Sequence, residues 1–331
     1  MEHVNLGRTG LRVSRLCLGT MTFGLQCDEA QSQAILDASA EGGIDFMDAA
    51  DVYPLGGGPD TQGRTEEIIG RWLKGRRDRF IVATKCVGQM GRKPWDGGMS
   101  RKHVLDAVDA SLRRLNTDYI DLYQLHSYDA HTPLDEALDA LDTVVKSGKA
   151  RYVGVSNWPA YKVARALGRC EIKGIARIDT VQPRYNLLFR TFERDLLPLC
   201  QEEGVAVIPY NPMAGGFLTG KHDPKGAPTE GTRFTLGRSA GTYTERYWHD
   251  QQFHTVEEIR GAAAEAGISM AQLAVRWVLS HPAITAPIVG ASKPEQLADS
   301  LAAEAAGPLP ADVKAKLDDI THGWRAVDAE R

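Results

Sequence analysis

Four residues with polar, proton-exchanging side chains stand at the ends of apolar, strand-forming segments of this sequence. Asp48, Tyr53, Lys85 and His126 occur in the strings GGIDFMDAADVY, RFIVATKC and DYIDLYQLHS. Burying an unpaired charge is costly, so a buried strand carries such a residue only where polar partners or an open end of the fold can stabilise the charge. Brought together, a carboxylate, a phenol, an ammonium and an imidazole could transfer a proton.

The reaction that suits this set is proton donation to a carbonyl oxygen during hydride addition, which needs a donor within hydrogen-bond reach of that oxygen. Tyr53 is the candidate donor, and the ammonium of Lys85 would lower the pKa of the phenol from its ordinary value of about 10. Asp48 would be the counter-ion of Lys85, and His126 would orient the substrate oxygen. Each residue taken alone also has an ordinary interpretation: a packed tyrosine or histidine, a lysine that reaches the rim, or an aspartate that caps a turn.

The rest of the sequence predicts the scaffold that would position these groups. Amphipathic helical patterns alternate with eight short β-rich runs, at residues 16–20, 44–48, 80–85, 119–126, 152–156, 179–183, 205–210 and 284–289. Helices are predicted to begin at Ser100, a suitable N-cap, and near Pro133, Pro159, Thr191 and Pro294. Eight strand-helix units predict a parallel sheet closed into a (β/α)8 barrel, at whose carboxyl-end mouth the four groups would meet.

Two segments depart from this repeat. Residues 4–15 contain a glycine turn between short apolar pieces and predict an N-terminal β-hairpin that plugs the amino-terminal mouth. Residues 213–254 are rich in Gly, Pro and Thr and predict a long functional loop. Two helical patterns follow, at 255–267 and 269–282, so we expect an extra helix before the last strand.

Composition excludes several classes of protein. The chain has 331 residues, 43% of them hydrophobic and 25% charged, with a formal net charge of -4. This composition is that of an ordinary globular protein, whose length would permit one or two domains. The strand-helix repeat favours one barrel domain over residues 1–331, and the slightly acidic charge predicts no nucleic-acid binding. No apolar stretch of membrane-spanning length and no signal peptide is recognised, so a cytoplasmic protein is expected. The five cysteines contain no C-x-x-C pair, and no metal site is predicted.

Several strings, taken in order, make the likeness to a known family specific. LGRTGLRVSRLCLGTMTFG, FMDAADVY, IVATK, DYIDLYQLH, VGVSNW, VQPRYN, PYNPMAGGFLTGK and PIVGASKPEQL resemble those of an aldo-keto reductase over roughly residues 4–303. GFLTGK and GASKPEQL resemble the branch that contains bacterial general-stress reductases and potassium-channel β-subunits. The resemblance implies a barrel that binds NADPH in extended form without a Rossmann domain, and the family's catalytic Asp, Tyr, Lys and His fall on Asp48, Tyr53, Lys85 and His126.

The resemblance also implies a set of cofactor-binding residues. They are Thr20, Met21, Asp48, Ser156, Asn157, Gln182, Tyr210, Asn211, Pro212, Gly215, Leu218, Lys221, Arg233, Gly290, Ser292, Lys293, Gln296, Asp299 and Ser300. Ser156, Asn157 and Gln182 could bond the nicotinamide carboxamide, and Tyr210 could stack on the nicotinamide ring, although a tyrosine at a strand end also packs on helices.

The phosphates of the cofactor have their own candidate residues. Gly215, together with Gly216 and Gly220, permits close approach of the backbone to a pyrophosphate, and Lys221 adds charge. Ser292 and Gly290 precede a predicted helix, whose amino end attracts phosphate. Lys293 would favour the 2′-phosphate, hence NADP(H) rather than NAD. Arg233 would clamp the cofactor from the long loop or be an ordinary solvated arginine, and Ser300 stands where the family often has asparagine.

The substrate is less defined by the sequence. Candidate pocket walls are Met21, Phe23, Tyr53, Trp95, His126, Tyr128 and Trp158, with Phe234, Tyr243 and Trp248 of the long loop. These side chains predict an apolar aldehyde or ketone, and no arginine pair committed to an anionic substrate is recognised. Two alternatives stay open: a regulatory subunit in which the nucleotide is a redox signal, and a keto-sugar reductase. The expected partner is a small-molecule carbonyl compound, and a homo-oligomer is compatible with the sequence.

Overall fold

The computed structural model describes residues 1–325, apart from the side chain of Arg238. Within them, two short strands pair as an antiparallel hairpin, β1 (His3–Asn5) with β2 (Arg12–Ser14). Eight further strands form one parallel sheet. They are β3 (Cys17–Gly19), β4 (Phe46–Asp48), β5 (Ile81–Cys86), β6 (Ile120–Leu125), β7 (Ala150–Ser156), β8 (Ile178–Gln182), β9 (Ala206–Val207) and β10 (Ile288–Gly290).

The parallel sheet closes on itself. Strands β3 to β9 are paired in chain order, and β10 lies beside β3. Backbone hydrogen bonds of 2.8 Å from Ile288 N to Pro209 O and from Thr285 N to Val207 O then join β9 to the segment of β10. The predicted (β/α)8 barrel is therefore confirmed. The predicted run 205–210 has regular strand geometry only at Ala206–Val207, although bonds from Ile208 N and Tyr210 N continue along β8.

Helices follow the strands and cover the outside of the barrel. They are α1 (Glu29–Glu41), α2 (Arg64–Trp72), α3 (Arg101–Leu115), α4 (Leu134–Lys146), α5 (Ala160–Lys173), α6 (Leu196–Glu203), α7 (Ala240–Tyr247), α8 (Asp250–Ala266), α9 (Met270–Leu279), α10 (Leu297–Ala305) and α11 (Ala311–Ile320). Ser100 caps α3 by accepting a hydrogen bond from His103 N, as predicted. No helix among residues 1–325 is long and apolar enough to span a membrane.

Two predicted helix starts are 3₁₀ turns instead. Thr191 begins the turn Thr191–Glu193, and α6 begins only at Leu196, where the Asp195 side chain accepts from the first backbone N–H. Pro294 begins the turn Pro294–Gln296, which leads directly into α10. A proline can occupy the first turn of either helix type, so the sequence does not distinguish them.

The hairpin closes the amino-terminal end of the barrel, as expected. Leu6 and Val13 are fully buried and pack against inward-facing residues of the barrel strands, among them Phe46 and Leu122. The Arg8 amide donates a 2.8 Å hydrogen bond to the Gly204 carbonyl just before β9. Each such buried apolar side chain contributes about 1.5–3 kcal/mol, so the hairpin both seals and stabilises the barrel floor.

The segment 213–254 is more structured than its composition predicted. It contains a 3₁₀ segment (Ala214–Thr219), the whole of α7 and the first turn of α8. Helices α7 to α9 all lie between β9 and β10. The prediction of an inserted helix was therefore correct, but the insertion contains more helix than predicted. An aromatic cluster of Phe217, His222, Phe234, Trp248 and Phe253 holds this segment together. Because these aromatic residues are irregularly spaced along the chain, no helical periodicity was recognised in this segment from the sequence.

Candidate active site

Three of the four candidate catalytic residues lie at the carboxyl ends of adjacent strands. Asp48 ends β4, Lys85 is the penultimate residue of β5, and His126 follows β6. Along β5, Ala83 belongs to the inner core, whereas Thr84 bonds outward to Glu66 of α2. Strand alternation therefore turns Lys85 inward, directly above the apolar floor. Tyr53 lies beyond β4 and is also buried.

The ammonium of Lys85 is the centre of the site. Its Nζ lies 2.6 Å from Asp48 Oδ2, 2.8 Å from the Ala49 carbonyl oxygen and 3.4 Å from the Tyr53 hydroxyl. An ammonium has three donors, so every one is used. The side chain of Lys85 is fully buried and that of Asp48 is 3% exposed, which makes this a desolvated ion pair.

The second oxygen of Asp48 is held by two amides. The Gln182 Nε2 donates to Asp48 Oδ1 at 2.9 Å, and the Gln124 Nε2 lies 3.3 Å from the same atom. Gln124 was not predicted from the sequence, because a neutral polar residue inside a strand carries no signal of its role. For Gln182, one N–H of the side-chain amide bonds the Asp48 carboxylate, so its second N–H and its oxygen are left for the expected contact with a nicotinamide carboxamide.

Burial and charge set the protonation states of the other groups. Burial raises the pKa of Tyr53 above 10, and the positive charge of Lys85 opposes this effect without overcoming it. The expected effect of Lys85 therefore has the predicted direction, and burial is the larger effect. For Lys85, burial lowers the pKa, but the charges and hydrogen bonds of Asp48 and Tyr53 together outweigh burial, and the net pKa is raised.

His126 lies beside the phenol of Tyr53, with ring centroids 5.8 Å apart in an edge-to-face arrangement. Burial, aided by the charge of Lys85, lowers the pKa of His126 to about 3. The imidazole is therefore neutral near pH 7 and can still donate one hydrogen bond. Tyr53 and His126 thus offer two neutral donors at the floor of the site, with a fixed positive charge beneath them.

A cavity of about 910 Å³ opens above these groups and extends to the ends of β9 and β10. Most of the predicted site residues line it. They are Thr20, Met21, Asp48, Tyr53, His126, Ser156, Asn157, Gln182, Tyr210, Asn211, Pro212, Gly215, Lys221, Arg233, Gly290, Ser292, Gln296 and Asp299. Lys85 lies beneath its floor, and three predicted cofactor contacts, Lys293, Leu218 and Ser300, lie outside the lining, as described below.

Next to the catalytic groups, Asn157 ties three strand ends together. Its Nδ2 donates to the His126 carbonyl at 3.0 Å, and its Oδ1 accepts from the Tyr210 hydroxyl at 2.8 Å. Asn157 has a φ of 58°, in the left-handed region that asparagine tolerates better than most residues. The Tyr210 ring is thereby fixed at the cavity wall, where a flat nicotinamide ring could stack on it.

The next part of the cavity has the properties of a phosphate cradle. Gly215 and Gly216 have φ values of 69° and 95°, and a Cβ atom on Gly215 would lie 2.6 Å from the ring of Tyr243. The buried Nδ2 of Asn211 has no hydrogen-bond partner among the described residues. Lys221 lines the same region, and burial lowers its pKa. A glycine cradle, an orphaned N–H donor and an ammonium fit the phosphates of a dinucleotide.

The far end of the cavity suits an adenosine. Arg233 lies across Gly290, and its Nη1 contacts Met21 Sδ at 2.8 Å. Gln296 Oε1 accepts from the Ser292 backbone amide at 2.8 Å. Asp299 Oδ1 accepts from Ser269 and Gln272, which fixes the carboxylate at the cavity wall.

Three predicted cofactor contacts do not reach the cavity surface. Lys293 is exposed and lies outside the lining, whereas Leu218 and Ser300 are buried away from it. Arg233, not Lys293, is thus the cation placed inside the adenosine end of the cavity. Adjacency of Lys293 to Ser292 in sequence did not reveal that Ser292 lines the cavity and Lys293 does not.

Comparison with known proteins agrees with this geometry. The profile described as the aldo/keto reductase family matches residues 15–322. The chain belongs to the aldo/keto reductase family. It is 38% identical to the uncharacterized oxidoreductase YrpG of Bacillus subtilis (strain 168), over 92% of this chain and 91% of that protein. It is 36% identical to a probable voltage-gated potassium channel subunit beta of Oryza sativa subsp. japonica, over 93% of each chain. It is 34% identical to the versiconal hemiacetal acetate reductase of Aspergillus parasiticus, over 91% of this chain and 92% of that protein.

The substrate side of this aldo/keto reductase differs from the expectation of aromatic walls. Phe23 is fully buried in the core, and Trp158 is buried against the edge of the Tyr128 ring, 5.1 Å away. Trp95 is 48% exposed and contacts Lys93. None of these four aromatic residues lines the cavity, whereas Met21, Tyr53 and His126 do.

A mixed wall, most of whose members are polar, takes the place of those four aromatic side chains. Leu55 and Gln62, from the segment after Tyr53, line the cavity together with Ser239, Thr242, Tyr243 and Arg246, from the inserted segment that carries α7. Phe234 and Trp248 instead belong to the aromatic cluster. Of this wall, Tyr243 was predicted from the sequence as a pocket residue, whereas the other members depend on how the inserted segment folds over the mouth.

Proposed function

We propose that this aldo/keto reductase is an NADPH-dependent reductase of aldehydes or ketones, reversible toward alcohol oxidation, and that it acts in the cytoplasm. One observation carries the proposal. A buried Lys85, paired with Asp48, lies 3.4 Å from the hydroxyl of Tyr53 at the floor of a large cavity. A buried ion pair placed against a phenol has little structural value compared with an apolar core, so its use is most readily explained by chemistry.

The protein's own residues would manage the proton. A bound nicotinamide supplies the hydride to the carbonyl carbon. Tyr53 donates its proton to the carbonyl oxygen, which completes the alcohol, and the charge of Lys85 stabilises the phenolate that remains. Asp48 keeps Lys85 protonated, and the amides of Gln182 and Gln124 keep Asp48 in place. Neutral His126 donates a hydrogen bond to the same oxygen and orients it.

The cavity residues suit an extended dinucleotide. Tyr210 would stack on the nicotinamide, with Ser156 and Asn157 beside its carboxamide, and the cradle around Gly215 and Lys221 would hold the pyrophosphate. At the adenosine end, no carboxylate among residues 1–325 pairs with Arg233. An unneutralised guanidinium there favours the additional 2′-phosphate of NADPH over NADH.

A substrate screen tests the proposed reaction. The purified protein is mixed with NADPH or NADH and a panel of aldehydes, ketones and keto-sugars, and oxidation of the coenzyme is followed at 340 nm with identification of the alcohol product. We expect stoichiometric alcohol formation with NADPH. Tight NADPH binding without turnover on any member of the panel would argue against the proposal.

Similarity to the probable potassium channel β-subunit motivates a second candidate, a subunit in which the bound nucleotide signals redox state and turnover is incidental. The two functions differ in what is measured. A reductase turns over repeatedly without a partner, whereas a regulatory subunit is retained by a partner protein and its retention depends on whether NADPH or NADP⁺ is bound. Size-exclusion chromatography of the purified chain would settle whether it also forms a homo-oligomer.

A further inference from the structure

Two arginines that the proposed reaction does not use both act electrostatically on Tyr210 at the cavity wall. Arg246, on α7, lines the cavity, and Arg184 lies just beyond the end of β8. Both side chains are partly buried. In the part of the chain that the structure describes, no carboxylate lies within ion-pair distance of either guanidinium. Most of the other buried or partly buried arginines are paired, for example Arg114 with Glu66 and Arg190 with Glu193.

The charges of the two arginines act on the same group. Burial raises the pKa of Tyr210 to about 12, against an opposing effect of both Arg246 and Arg184. Burial lowers the pKa of Arg184, and the charge of Arg246 lowers it further. The pair is therefore a local concentration of positive charge next to the ring expected to face the nicotinamide. Like charges at short range repel, and without a counter-ion this arrangement is unfavourable.

The surrounding structure holds the Arg184 side chain in place and fixes the helix that carries Arg246. The guanidinium carbon of Arg184 lies 3.6 Å from the centroid of the Phe189 ring, and the backbone of Arg184 is bridged to that of Tyr210. Arg246 precedes Tyr247, whose hydroxyl accepts a 3.1 Å hydrogen bond from Asn186. A solvated arginine would not need such anchors. The arrangement is typical of a preformed anion site, in which the ligand supplies the missing negative charge.

The other cations of the cavity are placed elsewhere. Lys221 lies at the glycine cradle, and Arg233 lies across Gly290 at the adenosine end. These two have phosphate-bearing parts of the coenzyme within their expected reach, which leaves Arg246 and Arg184 without a ligand. The wall that carries Arg246 also contributes Ser239, Thr242 and Tyr243, so it is polar rather than apolar.

We propose that Arg246 and Arg184 form a subsite for an anionic group of the carbonyl substrate, a carboxylate or a phosphate. The inference rests on the proposed reductase function and specifies its substrate class. It replaces the expectation of an apolar substrate. Arg246 contacts the anion directly from the cavity wall, and Arg184, which does not line the cavity, adds positive charge from behind.

Matched substrates test the subsite. Initial rates with NADPH are measured for 5-oxopentanoate against its methyl ester, and for glyceraldehyde 3-phosphate against glyceraldehyde. We expect the ratio of kcat/KM, charged over uncharged, to exceed about tenfold for at least one pair, since a hydrogen bond to a charged group commonly supplies that much discrimination. The pair that shows the larger ratio identifies carboxylate or phosphate as the preferred anion.

Variants then assign the preference to the two arginines. In Arg246→Leu the ratio should fall to about one, Arg246→Lys should retain part of it, and Arg184→Gln should lower it. Arg165→Leu removes one positive charge from exposed α5 and is the matched control, for which the ratio should stay as in the wild type. Circular dichroism checks the fold of each variant. Protein fluorescence measures the binding of unreactive glutarate and of inorganic phosphate to the NADP⁺ complex, which gives a readout independent of turnover.

The outcomes separate this inference from the proposed function. Reduction of the uncharged aldehydes with no preference for the charged ones would leave the reductase and remove the subsite. A preference that survives in Arg246→Leu would also overturn it, as would a loss of NADPH affinity in Arg246→Leu with an unchanged substrate ratio, which would assign the arginine to the coenzyme. Failure to reduce any aldehyde would instead count against the proposed function itself.

Discussion

Lys85 and Asp48 form a buried ion pair, with 2.6 Å between Lys85 Nζ and Asp48 Oδ2 and essentially no exposure of either side chain. Neither charge can be removed alone without leaving the other in a desolvated barrel. The amides that bond Asp48 and the carbonyl that accepts from Lys85 complete the set of partners. The pair is therefore a coupled unit in the stability of the protein as well as in its chemistry.

This coupling predicts non-additive stability changes. Lys85→Met and Asp48→Asn should each lower the free energy of unfolding by about 3–5 kcal/mol, because each leaves an uncompensated charge. The double variant should lose markedly less than the sum of the two. Urea unfolding of the four proteins gives the coupling energy directly. Strictly additive losses would mean that the two charges are solvated or separated in solution.

Coenzyme preference should depend on Arg233 and hardly on Lys293. Arg233 lies inside the adenosine end of the cavity, whereas Lys293 is exposed outside it. Arg233→Leu should raise the Kd for NADPH by about tenfold or more while changing that for NADH far less, since the guanidinium would face the 2′-phosphate. Lys293→Ala is the matched control. Fluorescence titration with both coenzymes measures the two Kd values for each variant. If Lys293→Ala weakened NADPH binding more than Arg233→Leu does, Lys293 would be the contact of the 2′-phosphate, as predicted from the sequence.

The strand ends of the barrel were predictable because each combines an apolar, β-rich run with an ionisable residue at its end. An apolar β-rich run that leads into Asp48, Lys85 or His126 indicates both burial and a reason for it, and parallel strands bring such ends together. Gln124 was missed because a neutral amide in a strand costs little if it is hydrogen-bonded, so its presence predicts nothing specific.

The inserted segment was the part that sequence could not resolve. Helix α7 in this segment is short. The burial of the segment depends on an aromatic cluster formed by residues far apart in the chain, such as Phe217 and Trp248. For the same reason, the proximity of Arg184 and Arg246 was not foreseen: one follows a barrel strand and the other lies on the insertion. Tertiary packing, not local propensity, creates these contacts.

The aromatic cluster predicts a specific dependence of stability on pH. His222 is packed among Phe217, Phe234 and Trp248, both of its ring nitrogens lack partners in the described chain, and burial, with the charge of Lys221, lowers its pKa to about 4. In the unfolded chain the pKa is about 6.5. Between these values the unfolded state binds a proton that the folded state does not, so lowering the pH from about 7 to about 4 favours unfolding.

Substitution of the imidazole should remove this contribution. His222→Phe should have a free energy of unfolding within about 1–2 kcal/mol of the wild type at pH 7, and the difference should shift in favour of the variant as the pH falls toward 4. Urea unfolding at pH 7 and pH 4.5 measures the shift. His254→Phe is the control, because that imidazole is 79% exposed. An identical pH dependence of wild type and His222→Phe would show that His222 is solvated in solution.

The central claim is that Tyr53 donates the proton to the carbonyl oxygen. The direct measurement compares wild type, Tyr53→Phe and Tyr128→Phe in NADPH binding by fluorescence titration and in single-turnover reduction of the best aldehyde of the screen. Tyr128 is a half-buried tyrosine outside the cavity lining and serves as the control. We predict that Tyr53→Phe binds NADPH within about threefold of the wild type and loses at least about 10²-fold in the rate of reduction, while Tyr128→Phe keeps both. Reduction by Tyr53→Phe at the wild-type rate would contradict the account, since the proton would then come from another group.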